Sequence, residues 1–359
     1  MYKNKKFSRL LPRAAAQKAF PRKISRISRG SQHHMFDITD KNRHIIVVYH
    51  YVEPLRRDRV GIHPCPPEEF EQQIAFLSRH YRFVSLKDTF DAARNGAKEK
   101  LCAVTFDDGL KDQYIYAVPV LERFHVPASF FIISGTFDGM MPFTHKIHLL
   151  LSLVSAEKLR AQFHSFLKTS FPQSGEKYHI PSGRHLNAQR TYGSIVPENF
   201  KEVLATLPRR MREKFLSQMF RELHLYEPQL AKEFFMDESD VKDIARRGFS
   251  VGSHAHRHEA FDVLSAKEAR QDIAQSKKRL EKALTVPVDT FCYPYGRVGK
   301  NRNRLASFLA AERFSHAVTI EPRALVSSDN PMFLPRYEAN DIGNFLRRKG
   351  NIIKARKTI

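Results

Sequence analysis

The sequence predicts an α/β barrel built on parallel strands. From about His44 onward, short apolar runs rich in β-branched residues alternate with amphipathic stretches of helical period, the order typical of parallel α/β folds. Seven such apolar runs occur, and that number favours a barrel. The chain has 359 residues, 42% of them hydrophobic, and a single α/β barrel with a full core reaches this length.

The predicted elements follow one another in a regular order. We expect strands at residues 45–49, 81–84, 101–106, 128–133, 249–252, 290–293 and 316–320. We expect helices between them at residues 67–80, 85–95, 112–125 and 265–284. Pro67 lies in the first turn of the first helix and Gly96 follows the second, as is common at helix starts and ends.

A long segment between the fourth and fifth strands interrupts this order. It is poor in strand signals and carries apolar stretches of helical period at 149–154, 203–207 and 215–225. A structureless loop of that length is improbable inside a compact domain. We therefore expect a barrel over residues 41–359 with a helical insertion at about 137–240. The insertion should emerge near the strand ends, where barrel sites form, and set specificity.

The chain is strongly basic, with a formal net charge of +22. Residues 1–40 hold ten basic and two acidic residues, which is typical of a disordered basic tail; an organellar transit peptide or a membrane-surface anchor has the same composition. The charge should attract an anionic membrane surface or an anionic glycan. No specific nucleic-acid partner is expected, because the basic residues are not interleaved with aromatics in a known module.

The cysteine count and the lack of long apolar runs bear on location. Three cysteines without paired spacing argue against a disulfide framework and favour a reducing compartment. No run reaches the roughly 18 apolar residues of a membrane span, and the basic N-terminal stretch lacks the apolar part of a secretory signal. We therefore expect a cytoplasmic protein that can lie peripherally on a membrane.

Two motifs place reactive side chains directly after predicted strands. In Thr-Phe-Asp-Asp-Gly, Asp107 and Asp108 leave the strand in different directions, so one carboxylate can bind a metal while the other handles a proton. An exposed Asp-Asp-Gly turn is the simpler interpretation of that motif alone. In Ser-His-Ala-His-Arg-His, His254 and His258 can reach one ion, and His256 points elsewhere. A solvated His-rich loop is the alternative for that segment.

A third segment, Phe-Cys-Tyr-Pro-Tyr-Gly at 291–296, is another strand followed by a turn whose main chain could meet a developing oxyanion. In this order, the three segments resemble those of the polysaccharide deacetylase family, also called the NodB homology domain or carbohydrate esterase family 4, over about 45–136 and 241–340. The resemblance implies a distorted (β/α)7 barrel. It also implies Asp107 as catalytic base, Asp108, His254 and His258 as metal ligands, and the Tyr295 main-chain N–H in the oxyanion site.

The sequence also departs from the family pattern. Cys292 stands where many members have an arginine that orients the catalytic aspartate, and Arg336 could supply that guanidinium from a later segment, or be a surface arginine. There is no Trp for the family's groove wall. The late Leu-His motif that carries the family's general acid is missing. His50, in a Tyr-His segment like that of permuted relatives, is the candidate acid, and His316 is the rival. The alternative for His50 is a buried structural histidine.

The resemblance implies a metal-dependent hydrolase that removes an acetyl group from an N-acetylated sugar of a glycan or glycan precursor, such as those of lipopolysaccharide or capsule. The expected cofactor is a divalent ion, Zn²⁺, that activates the attacking water. The missing arginine, tryptophan and late histidine leave open a catalytically inactive glycan-binding barrel. The charge alone suggests a nucleic-acid binder, which would associate weakly and with steep salt dependence.

Overall fold

The computed structural model describes residues 36, 44–56, 61–186, 194–348 and 350. The expected basic tail at 1–40 therefore lies outside the described residues except for Phe36. That ring is buried and makes edge-to-face contacts with Tyr337 and Phe345, at centroid distances of 5.4 and 5.2 Å. Phe36 thus packs on the barrel domain.

The described residues form one sheet of eight strands. The strands are β1 (His44–Tyr49), β2 (Arg82–Phe83), β3 (Leu101–Phe106), β4 (Ala128–Ile132), β5 (Ser250–Ser253), β6 (Thr290–Cys292), β7 (His316–Val318) and β8 (Tyr337–Glu338). They pair in the order β7-β6-β5-β4-β3-β1-β8, with β2 beside the start of β3. All these pairs are parallel, as the alternating sequence pattern predicts.

One short segment joins the two edges of the sheet. Leu334 forms a parallel bridge with Val318 of β7, and three residues later Tyr337 pairs with Val47 of β1. The sheet therefore curls round on itself, and the predicted α/β barrel is confirmed. The sequence did not predict β8, because two residues are too few to show the alternation of a strand.

Twelve helices occur in the described residues. They are α1 (Pro67–Ser78), α2 (Leu86–Arg94), α3 (Val118–Arg123), α4 (Phe143–Leu153), α5 (Ala156–Ser170), α6 (Ile195–Thr206), α7 (Arg209–Glu222), α8 (Glu227–Phe234), α9 (Glu238–Arg246), α10 (Ala266–Leu284), α11 (Arg302–Ala311) and α12 (Ala339–Arg348). The predicted helix at 112–125 begins as a π-helix, Gln113–Ala117, before α3. A capping box, with Ser265 and Glu268 bonding reciprocally, starts α10 where the sequence predicts it.

Both faces of β1, β3 and β4 are buried, and each face meets a different set of side chains. Ile46, Ala103 and Phe131 belong to a small inner cluster, whereas their neighbours Val47 and Val104 belong to the cluster that includes the surrounding helices. This division follows from the two-residue period of a strand. It explains why the strand sequences are almost continuously apolar rather than alternating.

The expected insertion at about 137–240 contains α4 to α8 and the start of α9. These helices have a core of their own, in which the Phe215 ring lies 5.1 Å from Phe163 and 6.2 Å from Phe200. Among the described residues, no helix is both long and apolar enough to cross a bilayer. The insertion reaches the barrel at the carboxyl ends of the strands.

Candidate active site

The two adjacent aspartates diverge at the end of β3. Asp107 continues the strand alternation and points to the same side as Thr105. Asp108 then adopts a left-handed conformation with φ of 74°, and Gly109 follows with φ of 64°. A Cβ at Gly109 would lie 2.9 Å from Ile132 Cδ1, so this tight exit requires glycine. The turn thus sends neighbouring carboxylates into two separate environments.

Asp107 is a buried carboxylate held by a guanidinium. Arg336 donates from Nη1 to Oδ1 at 2.8 Å and from Nη2 to Oδ2 at 2.7 Å. The Cys292 thiol donates to Oδ2 at 3.3 Å. Burial alone would raise the pKa of Asp107, but the Arg336 guanidinium, together with the nearby His254 and His50, outweighs it and lowers the pKa to about 2. The group is therefore ionised at neutral pH and able to accept a proton.

Arg336 lies in the segment that closes the barrel and is fully buried. Its Nε donates to the Thr319 carbonyl oxygen at 2.9 Å, and Nη1 also donates to Thr105 Oγ1 at 3.0 Å. Of the two alternatives from the sequence, the structure therefore shows the first, in which this guanidinium reaches Asp107 from the late segment, and not a surface arginine. The Arg336 Nη2 atom also lies 3.1 Å from Cys292 Sγ.

Asp108, His254 and His258 converge on one point. The Nε2 atoms of His254 and His258 lie 3.4 and 3.2 Å from Asp108 Oδ1. In a tetrahedral site with metal–ligand bonds of about 2.1 Å, two ligand atoms lie about 3.4 Å apart. All three side chains are buried, and Asp108 Oδ1 has no hydrogen-bond partner among the described residues. The donor set therefore fits a divalent ion.

A contact at the ring nitrogen that faces away from Asp108 orients His254, and backbone conformation and burial constrain His258. His254 Nδ1 lies 2.9 Å from the Cys292 carbonyl oxygen, which leaves Nε2 free to face Asp108. His258 has a left-handed φ of 56°, and burial holds its pKa well below the usual value. His256 contacts Ser134 and Gln275 instead, as expected for a histidine that is not a ligand.

A buried carboxylate holds the backbone of this histidine loop. Asp272, on α10, accepts hydrogen bonds from the main-chain N–H groups of His256 at 2.7 Å and Arg257 at 3.2 Å. These two residues lie between the two candidate ligands in the chain. Asp272 therefore fixes the loop conformation that aims both imidazoles at one point.

Three more residues were candidates from the sequence, His50 and its rival His316 as general acid and Tyr295 in the oxyanion site. His50, just after β1, places Nε2 3.9 Å from Asp107 Oδ2 and is about a third exposed, so it can reach both the site and solvent. Tyr295 has a left-handed φ of 61°, and its hydroxyl lies 3.2 Å from His258 Nδ1. His316 begins β7 and contacts Phe90, at the opposite ends of the strands from Asp107. As a rival general acid, His316 is therefore wrong.

The insertion supplies residues that sequence reasoning missed. His145, on α4, is buried with Nε2 3.5 Å from Asp108 Oδ2, and its Nδ1 contacts the Tyr51 hydroxyl. His148, one turn later, lies 3.2 Å from the same hydroxyl. The only signal in the sequence was the pair of histidines three residues apart in Thr-His-Lys-Ile-His, a helical spacing that nothing links to Asp108.

A buried ion pair fixes the insertion to the histidine loop. Arg212 of α7 pairs with Glu259, the residue after His258, and its guanidinium stacks on the Phe143 ring at 3.8 Å. Within the insertion, Lys146 of α4 pairs with Glu227 of α8 at 2.9 Å. The insertion is thereby attached at the site rather than at a distant surface.

Comparison with known proteins agrees with this geometry. The family model described as polysaccharide deacetylase matches residues 94–166 and 213–313. The Streptococcus pyogenes deacetylase PplD, solved in complex with acetate, is similar with a TM-score of 0.54 and 15% identity, over 86% of this chain and 98% of that one. IcaB from Ammonifex degensii is similar with a TM-score of 0.50 and 19% identity, over 85% and 97%. No curated protein matches the sequence.

The family match, together with the barrel and the residues at its strand ends, defines a class of hydrolase, the deacetylases. The chain belongs to the polysaccharide deacetylase family. The likeness to the two solved structures shows the shared fold. The family match omits residues 167–212, which form the middle of the insertion.

Proposed function

We propose that the protein hydrolyses the N-acetyl group of a sugar unit in a glycan or glycan precursor. One observation carries this proposal: an ionised, arginine-held carboxylate, Asp107, lies directly beside a separate set of three metal donors. Hydrolysis of an amide needs both a base for the attacking water and a means of stabilising the oxyanion. Acetate, which such hydrolysis releases, is the molecule bound to the similar Streptococcus pyogenes deacetylase.

Each residue of the site has a role in this reaction. Asp107 takes a proton from water as the water oxygen attacks the acetyl carbon, and Arg336 keeps that carboxylate ionised and oriented. The Tyr295 main-chain N–H donates to the oxyanion. His50 gives a proton to the sugar nitrogen as the carbon–nitrogen bond breaks, and its exposure allows it to be protonated again from solvent.

Asp108, His254 and His258 would hold the ion, which we propose to be Zn²⁺. Two imidazoles and one carboxylate are a donor set that zinc accepts in catalytic sites, with positions left open. When bound, such an ion supplies Lewis-acid polarisation of the acetyl carbonyl and lowers the pKa of water. The buried Asp108 oxygen without a hydrogen-bond partner supports this assignment.

Acetate release tests the proposal. Purified protein loaded with Zn²⁺ is incubated with a panel of acetylated glycans, including chitooligosaccharides, and mass spectrometry records the loss of about 42 Da per acetyl group. Asp107→Asn should retain metal and lower turnover by about 10²- to 10⁴-fold. Glu99→Gln, which alters an exposed carboxylate paired with Arg82, should leave turnover unchanged.

Two results would contradict the proposal. Full turnover by Asp107→Asn would remove its role as base. Stoichiometric binding of a glycan without release of acetate from any member of the panel would favour the inactive glycan-binding barrel instead. Metal content is measured on the same samples, so that protein that has not bound Zn²⁺ is distinguished from Zn²⁺-bound protein that does not release acetate.

We further propose that the protein acts in the cytoplasm, at an anionic membrane surface where glycan precursors are assembled. The support is the net charge of +22 and the basic composition of residues 1–40. Co-sedimentation with vesicles containing anionic lipid should fall as salt rises, because the attraction is electrostatic. Equal binding to neutral vesicles would contradict the membrane proposal without affecting the chemistry.

A further inference from the structure

The metal-binding carboxylate has two oxygens, and different parts of the fold meet each one. Asp108 Oδ1 faces the two histidines of the loop after β5. Asp108 Oδ2 faces His145 Nε2 at 3.5 Å, from helix α4 of the insertion. His145 Nε2 is buried and has no hydrogen-bond partner within the described residues. A shift of about half an ångström would give a hydrogen bond of normal length.

The partners of the opposite ring nitrogen select the tautomer of His145. Its Nδ1 is in hydrogen-bond contact with the Tyr51 hydroxyl, which also lies 3.2 Å from His148 Nδ1. If His145 Nδ1 carried the proton, the Nε2 lone pair would face a carboxylate oxygen, which is repulsive. The favourable arrangement has His148 donating to the Tyr51 oxygen, Tyr51 donating to His145 Nδ1, and His145 Nε2–H directed at Asp108.

The helix that carries His145 is held firmly in place. The buried Lys146 next to it forms an ion pair with the half-buried Glu227, and the His145 ring makes an edge-to-face contact with Phe235 at 5.0 Å. The Thr144 hydroxyl is hydrogen-bonded to the Tyr295 hydroxyl. A side chain on such a rigid helix can orient its partner at little entropic cost.

We infer that His145 is a positioning residue for the metal site: it holds Oδ2 of Asp108 so that Oδ1 points at the ion, and the insertion thereby completes the metal centre. His145 is not itself a ligand, because its nitrogens do not join the group of Asp108, His254 and His258 atoms that lie within 4.8 Å of one another. This inference rests on the proposed function only in requiring that the Asp108 site binds a divalent ion.

Metal affinity is the direct test, since residues that orient a ligand affect affinity by about 10- to 100-fold. Metal-free protein is titrated with Zn²⁺ in competition with a chromophoric chelator. His145→Ala should bind Zn²⁺ about 10- to 100-fold more weakly than the unaltered protein. His145→Gln should recover part of this loss, because its amide N–H can still donate. Tyr51→Phe should weaken binding less than His145→Ala does.

The matched control is His316→Gln, which alters a buried histidine at the opposite end of the barrel and should leave the affinity unchanged. Cobalt reports the coordination directly: the visible spectrum of the Co²⁺ form should keep its band positions in His145→Gln, because no ligand is lost. Thermal unfolding of the metal-free variants shows whether any loss of affinity merely follows a loss of folding.

The outcomes separate the inference from the proposed function. Unchanged Zn²⁺ affinity in both His145 variants would overturn the positioning role and leave the proposed deacetylase intact. A changed Co²⁺ spectrum in His145→Gln would overturn it in favour of His145 as a ligand. Failure of the unaltered protein to bind metal, or an affinity that Asp108→Ala does not alter, would instead overturn the metal centre of the proposed function.

Discussion

Replacing Arg336 by Met should destabilise the protein strongly, because it leaves Asp107 as an unpaired charge in the barrel. Both side chains are almost fully buried, and the guanidinium makes two hydrogen bonds to the carboxylate besides those to Thr105 and Thr319. Removing one partner of such a buried pair lowers the free energy of unfolding by about 3–5 kcal/mol. Met fills much of the same volume, so a cavity contributes little.

Urea denaturation of metal-free protein, followed by circular dichroism, measures this loss. The double variant Arg336→Met with Asp107→Asn should be less destabilised than the sum of the two single variants, because no unpaired charge remains. We expect a coupling free energy of about 2 kcal/mol or more, near the upper end for contacting residues. Arg82→Met, which breaks an exposed pair with Glu99, should cost at most about 1 kcal/mol.

Two results would refute this reasoning. One is a decrease of less than about 1 kcal/mol in the free energy of unfolding of Arg336→Met, because the pair would then contribute no more than an exposed salt bridge does. The other is additivity of the single variants, which would mean that the two side chains do not interact in the folded protein.

Three further substitutions test other parts of the account. Gly109→Ala, at a φ of 64° and within 2.9 Å of Ile132, should cost about 1–3 kcal/mol in thermal unfolding, and a variant as stable as the original would disprove the strained exit. Asp272→Ala leaves two main-chain N–H groups, the buried one of His256 and the part-buried one of Arg257, without their acceptor. It should therefore cost about 1–3 kcal/mol and weaken Zn²⁺ binding in equilibrium dialysis; unchanged binding would contradict its role in fixing the loop. Phe215→Ala should cost about 3–5 kcal/mol in urea denaturation by opening the core of the insertion, and a smaller effect would show that this core is loosely packed.

The sequence predicted the positions of those site residues that directly follow a recognisable strand. Asp107 and Asp108 follow one apolar run and His254 and His258 follow another, so the parallel order of the strands already brings their ends to one edge. The barrel fold followed from the same alternation. Arg336 was only one of two alternatives from the sequence, since the Cys292 position suggested a guanidinium from a later segment but a surface arginine fitted the sequence equally well.

The sequence was uninformative where tertiary packing alone decides position. His145 lies on an insertion helix whose approach to Asp108 depends on ion pairs such as Arg212 with Glu259, distant in the chain. His316, by contrast, was a rival that the predicted strand bounds already disfavoured, because it begins the strand predicted at 316–320 whereas His50 follows the strand predicted at 45–49. The register of β6 and β7 agrees with this position at the far end of the barrel.

The location of the metal tests the central claim most directly. Crystals of the Zn²⁺-loaded protein measured at the zinc absorption edge should show one anomalous peak at about 2.0–2.2 Å from Asp108 Oδ1 and from Nε2 of His254 and His258. The Asp107 carboxylate should lie nearby but outside the coordination sphere, still paired with Arg336. A peak elsewhere, or an ion bound by Asp107 instead of Asp108, would contradict the assignment of Asp108 as metal ligand and Asp107 as base.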